Sequence, residues 1–404
     1  MVNTPGYLKN LTDILSTEPK RNVANYMLWR AARASIGFLN KSAREIIEEY
    51  AKNITGKTET TPRWKSCVSS ASGSFSAAVG KMYVIKHFHD AAKDDMLEMV
   101  SDIRHEFKKI LNEISWMDPT TRLRAHEKLE AIKEYIGYPP EIMVNSNLED
   151  LYKGLEISRD SYFLNGINMS IWSTNYHWSK LRDKVDKTDW KRHANPAIVN
   201  AFYSSLENSI QFPAGILQGV FFSKDRPSYM NYGSIGWVIG HEITHGFDDQ
   251  GRQYNAEGNL ENWWQFQTFA QFFNKTACII KQYGSYKVDS LDLNLNGITT
   301  QGENIADNGG IKEAYRAYGK NFIFNQDPFF KVFFLFRKMG TTSRPRKDFT
   351  RSELEPKTAF LVECCQCLVF QISPQILGKS HSNRSSFSGN VPSQRSIFQL
   401  QRIC

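Results

Sequence analysis

The sequence predicts a mainly α fold in two lobes, with a few short strands beside one buried helix. Three observations predict it. Apolar residues recur at helical spacing through the first 195 residues, and short alternating runs follow Pro196. Then residues 237–249, with apolar neighbours on the N-terminal side, carry His241, Glu242 and His245.

In chain order, residues 25–50 place Leu28, Ala31, Ala32, Ile36, Ile46 and Ile47 near one helical stripe. Residues 52–61 are polar and turn-rich. From 78 to 111 the spacing is helical again, with Ile85, Phe88, Met96, Met99, Val100, Ile103 and Phe107 on the apolar face. Asp118 and Pro119 form a helix start, an N-cap and a first-turn proline, for a helix expected over 120–135 and ended by Gly137 and Pro139. Two more helices are expected over 151–185. Residues 198–203 and 209–212 alternate like short strands, and 262–283 reads as a long helix. His87, His89, His105, His126, His177 and His193 are scattered, without ligand spacing, and read as structural or surface histidines.

A chain of 404 residues, 41% hydrophobic and 13% aromatic, has room for two or three domains with a sizeable core. No run approaches the roughly 18–20 apolar residues of a membrane span. The stretch 329–336 is apolar but short and interrupted by Lys331, so it reads as a buried helix. The first residues lack the charged-then-apolar pattern of a signal peptide. Residues 341–404 hold nine Lys/Arg against four Asp/Glu, so most of the formal charge of +8 lies there. There is no aromatic-interleaved basic patch, and nucleic acid is not an expected partner. Cys67 and Cys278 stand alone, while Cys364, Cys365, Cys367 and Cys404 fall near the end; isolated cysteines are most often buried thiols.

His241 and His245 are four apart, so a helix turns both imidazoles to one side, where they can share a metal ion. Glu242, one residue on, is placed to take a proton from water at such a metal. Zinc needs a third protein ligand and an open fourth position. Glu303 can be that ligand. Asp307, four residues later, can hydrogen-bond the free nitrogen of a liganding histidine. Asp248 is a candidate partner for His245.

These motifs, with residues 199–203, 212–218, 63–68, 116–118 and 136–139, resemble the neprilysin and endothelin-converting-enzyme family of zinc metallopeptidases from about residue 25 to 316. The resemblance implies a thermolysin-like catalytic lobe, with strands beside the zinc site, packed against a helical lobe. It divides the chain into an N-terminal helical region (1–195), an incomplete catalytic domain (196–340) and a divergent tail (341–404). It implies hydrolysis of peptide bonds in short peptides at one Zn²⁺ held by His241, His245 and Glu303, with Glu242 as general base. Asn200 and Ala201 would bind the peptide backbone, and Ile216, Phe221, Trp237 and Val238 would form the pocket for the residue after the scissile bond. Cys67 and Cys278 resemble a disulfide pair. A secreted or cell-surface setting would also give meaning to the Asn-x-Ser/Thr sequons at Asn10, Asn40, Asn53, Asn168, Asn274 and Asn383.

The resemblance fades after about residue 335. The family's Asp-x-His-x-Pro element and following arginine have no counterpart, since His381 lies in a Ser/Asn/Arg context, and Gly219 and Val220 stand where the family usually has two prolines. The N-terminal anchor region has no counterpart either. The chain is therefore expected to correspond to the middle of such an enzyme. The alternative to an active peptidase is a relative that binds zinc and peptide without turnover.

Overall fold

The computed structural model describes residues 4–56, 59–289 and 291–324, with side chains to residue 319. The protein is mainly helical. In chain order the helices are α1 (Pro5–Thr17), α2 (Lys20–Ser35), α3 (Lys41–Thr55), α4 (Arg63–Ser74), α5 (Ser76–His87), α6 (Ala91–Glu113), α7 (Pro119–Glu130), α8 (Asn145–Leu151), α9 (Tyr162–Ser179), α10 (Ser228–Asn231), α11 (Trp237–His245), α12 (Phe266–Gly284) and α13 (Gln301–Phe324). The strands are β1 (Lys133–Gly137), β2 (Phe202–Ser204), β3 (Ser209–Pro213), β4 (Lys287–Val288) and β5 (Leu293–Asn294).

Packing divides the chain into two compact units. Of the described residues, one takes 4–74 and 149–185, hence α1–α4 and α9; the other takes 75–148 and 186–324. Residues 75–148, which precede the division expected at 195, thus pack with the residues that follow 186. A strand pairing joins these two stretches: β1 runs parallel to β3, Lys133 opposite Ser209 and Gly137 opposite Pro213.

In the first unit, α3 shows how local chemistry sets helix ends. Asn40 accepts from the Ala43 N–H at 3.0 Å, and Gly56 closes the helix at φ 70°, a left-handed conformation that costs glycine little. Cys67 on α4 is a free thiol. Cys278 on α12 is disulfide-bonded.

The second unit is built around α6, whose Met96, Met99, Val100, Ile103 and Phe107 form the buried stripe predicted from spacing, continued by Leu111. Ile85 is not part of it. The expected single helix breaks between His87 and Ala91, and Ile85 on α5 is 66% exposed. At α7, Asp118 accepts from Thr121 N at 2.9 Å, as an N-cap should, while Pro119 fills the first position. The helix expected to reach 135 stops at Glu130, and residues 133–137 are strand β1. Sheet order is β1-β3-β2, with β2 antiparallel to β3, so β2 lies at an edge. Among the described residues no helix is long and apolar enough to cross a membrane. The apolar stretch at 329–336, the late cysteines, His381 and the tail from 341 lie outside the described residues.

Candidate metal centre

The chain enters α11 through a π-helical turn, Tyr232–Gly236, and every residue from Tyr232 to Thr244 is buried. Helix α13 reaches α11 backbone to backbone. A Cβ on Gly240 would lie 2.7 Å from the Gly310 Cα, and one on Gly310 would lie 2.5 Å from the Trp237 oxygen. Only paired glycines permit this approach, which brings the first turns of α13 beside the two histidines.

There the side chains converge. The Nε2 atoms of His241 and His245 are 2.9 Å apart, and Glu303 Oε2 lies 3.4 Å from one and 3.5 Å from the other. Both Nδ1 atoms are engaged: His241 with Asp307 Oδ1 at 2.9 Å, His245 with Asp248 Oδ2 at 2.7 Å. A carboxylate only accepts, so each Nδ1 donates and each Nε2 of a neutral ring keeps its lone pair facing inward. Asp248 is itself fixed, its Oδ1 accepting from Gln250 N at 2.8 Å and Gly251 N at 2.7 Å.

Electrostatics points the same way. Burial disfavours charge on His241, yet Asp307 and Glu303 outweigh it and lift its pKa to about 9. For His245 burial is likewise overcome, by Asp248 and Glu303, and the value rises to about 10. The two imidazoles hold Glu303 well below the usual carboxylate range. A cluster that favours positive charge this strongly suits a cation. The donor set fits a metal: one nitrogen from each histidine and a carboxylate oxygen lie within 4.8 Å of one another. Tetrahedral coordination at about 2.0–2.1 Å spaces ligand atoms by about 3.3 Å, and the three separations straddle that value.

Glu242 is 5% exposed, and burial raises its carboxyl pKa against the opposing pull of the imidazoles. It lines a cleft of about 1020 Å³ together with His241, His245, Glu303, Asn200 and Ala201. The edge strand β2 forms part of the wall through Phe202 and Tyr203. Ile216 and Phe221 line the cleft. Trp237 and Val238 do not. Each is 1% exposed in the hydrophobic core, and Trp237 packs its ring edge-on to His241, centroids 6.0 Å apart.

Two models of peptidase family M13 match this sequence, one over residues 1–139 and the other over residues 200–334. The chain belongs to peptidase family M13. Its M13 relatives include Neprilysin-2 of Drosophila melanogaster, 51% identical over 78% of this chain and 42% of that protein. Neprilysin of Homo sapiens is 43% identical over 80% of this chain and 43% of its own length. The chain thus spans less than half of the curated M13 relatives it matches. Among solved structures, the zinc metalloprotease Zmp1 of Mycobacterium tuberculosis, in complex with an inhibitor, superposes with a TM-score of 0.74 and 32% identity, over 91% of this chain and 56% of that one. PepO of Lactobacillus rhamnosis HN001 gives 0.68 at 26% identity, over 83% and 47%.

One buried acid near this M13 centre escaped the sequence reading. Glu313, 2% exposed on α13, accepts from Thr244 Oγ1 at 3.0 Å, directly behind the metal helix. Burial pushes its pKa up to about 8, against that hydrogen bond. Its signal was present in the sequence: Glu313 lies three residues past Gly310, on the side of α13 that meets α11.

Proposed function

We propose that this chain carries the catalytic centre of a zinc-dependent metalloendopeptidase acting on short peptides, at the cell surface or outside the cell. The observation that carries the reading is Glu242. It is a buried carboxyl beside convergent His241, His245 and Glu303, and it opens onto a cleft walled in part by β2, the edge strand among the described residues.

His241, His245 and Glu303 would hold Zn²⁺, which supplies Lewis acidity that makes water acidic near neutral pH and polarises the scissile carbonyl. Asp307 and Asp248 orient the two rings and keep their Nε2 lone pairs available. Glu242 takes the proton of the attacking water and passes it to the departing amine. A pKa raised by burial brings it nearer the operating pH, which serves both transfers. A peptide in extended form adds to the edge strand β2, its backbone met by the Asn200 side-chain amide and by Ala201 main-chain groups. Ile216 and Phe221 supply the apolar surface for the residue after the scissile bond.

The test measures zinc content and cleavage of a quenched fluorescent peptide by the full chain beside Glu242→Gln. Stoichiometric zinc in both, with activity falling about 10²- to 10⁴-fold in the variant, supports the reading. Zinc without Glu242-dependent cleavage supports a relative that binds peptide without turnover. Absence of zinc from the folded chain refutes both.

A further inference from the structure

Lys128 is 1% exposed, among the least expected places for a lysine. Its Nζ donates to three backbone oxygens, Gly246 at 2.6 Å, Gly251 at 2.7 Å and Tyr254 at 2.7 Å. An ammonium has three N–H donors, so the set is complete. Phe247 and Trp263 present ring faces to the same nitrogen, at 5.4 and 5.8 Å. The backbone of Lys128 is held as well, its carbonyl accepting from Asn208 Nδ2 at 3.0 Å.

The three acceptors are not arbitrary points on a loop. Gly246 is the residue that ends α11, immediately after His245, so a cation there meets the negative end of the helix dipole. Gly251 is clamped from two sides: its N–H serves the Asp248 carboxylate while its C=O accepts from Lys128. Asp248 in turn holds His245 Nδ1. From these contacts we infer that Lys128 is a positioning residue for the metal centre: it ties the end of α11 to the loop that carries Asp248, and so aims His245. The inference rests on the metal-centre reading above. Lys128 touches neither substrate nor ligand atoms. It acts through Asp248.

The experiment titrates Co²⁺ into the full chain, reading the ligand-field absorption and a competing chelator, for wild type, Lys128→Met, Asp248→Ala and the double variant. Urea unfolding of each metal-free chain is measured in parallel. Each single variant is expected to bind Co²⁺ about 10- to 100-fold more weakly, the usual cost of losing a group that orients a ligand. The double variant is expected to be no weaker than the worse single, because both act through one bond. Lys128→Gln, which keeps two donors, is expected to fall between wild type and Lys128→Met. A Lys128→Met chain that is less stable yet binds Co²⁺ as tightly as wild type overturns the inference alone, as does a double variant whose losses multiply. Wild-type chain that binds no Co²⁺ defeats the metal reading and this inference with it. If neither Lys128 variant folds, Lys128 holds the fold rather than the centre, and the inference is wrong.

Discussion

Replacing Gly310 by alanine is the sharpest probe of how α11 and α13, which carry the proposed metal ligands, meet. The new Cβ would lie 2.5 Å from the Trp237 oxygen, 2.6 Å from the His241 nitrogen and 3.1 Å from the His241 Cα, where ordinary contact begins at 3.4 Å. Backbone atoms cannot swing aside as a side-chain end can, so α13 must move away from α11 by several tenths of an ångström. Overpacking of this kind costs about 1–3 kcal/mol. Glu303 rides on α13 about 10 Å before Gly310, at 1.5 Å per residue. Metal–ligand distances tolerate only about ±0.2 Å, so the shift separates Glu303 from the two histidines by more than the centre accepts. Urea unfolding of the metal-free chain should show the stability loss, and competitive Co²⁺ titration should show affinity weakened by about tenfold or more. Gly319→Ala is the control. On the same helix, its Cβ meets nothing within 4 Å among the described residues, and it should gain about 0.5–1 kcal/mol from helix propensity without changing affinity. If Gly310→Ala binds the metal as tightly as this control, the contact of the helices does not set the geometry of the centre.

Two further outcomes follow from the buried acids. Glu313 carries a pKa of about 8 in the folded chain against 4.5 unperturbed, so the folded state holds a proton that the unfolded state releases. Its contribution is complete below pH 4.5 and is lost as pH rises towards 8; Glu313→Gln should match wild type near pH 5 and exceed it by roughly a few kcal/mol at pH 9, and urea curves of the metal-free chains that stay parallel across that range would refute it. Asp118 caps α7 and also accepts from Thr268 Oγ1 at 2.6 Å, so Asp118→Ala should cost about 1–2 kcal/mol in urea unfolding, with Asp118→Asn recovering part of it. Burial disfavours the Asp118 carboxylate, but Thr121 and Thr268 overcome that and lower its pKa, so its contribution should fade as the medium is acidified.

What the sequence made legible was local. The stripe of α6 follows from helical spacing, the start of α7 from Asp118 and Pro119, and the pairing of His241 with His245 from a four-residue step on one helix. Glu303 and Asp307 were legible for the same reason, the second falling on His241 Nδ1 as the spacing suggested. Strand β1 was not. Its residues continue the apolar rhythm of α7, and they are strand because β3, 76 residues away by register, supplies the ladder. Trp237 and Val238 mark a different limit: apolar side chains beside a site fit a core and a pocket equally, and here both are buried in the hydrophobic core.

Lys128 shows why the remainder was hidden. In α7 a lysine between Glu127 and Leu129 reads as one more solvated charge. Its burial is determined by carbonyl oxygens 118 to 126 residues further along, which no local pattern announces. The physical rule still runs in the useful direction once the fold is known. A lysine is buried only where its donors are met, and donors met by backbone fix that backbone. Here the fixed backbone is the end of α11 and the loop whose Asp248 engages His245 Nδ1. The stability lost with Lys128 and the metal affinity lost with it should therefore separate in measurement: the first reports three hydrogen bonds, the second the aim of a single imidazole.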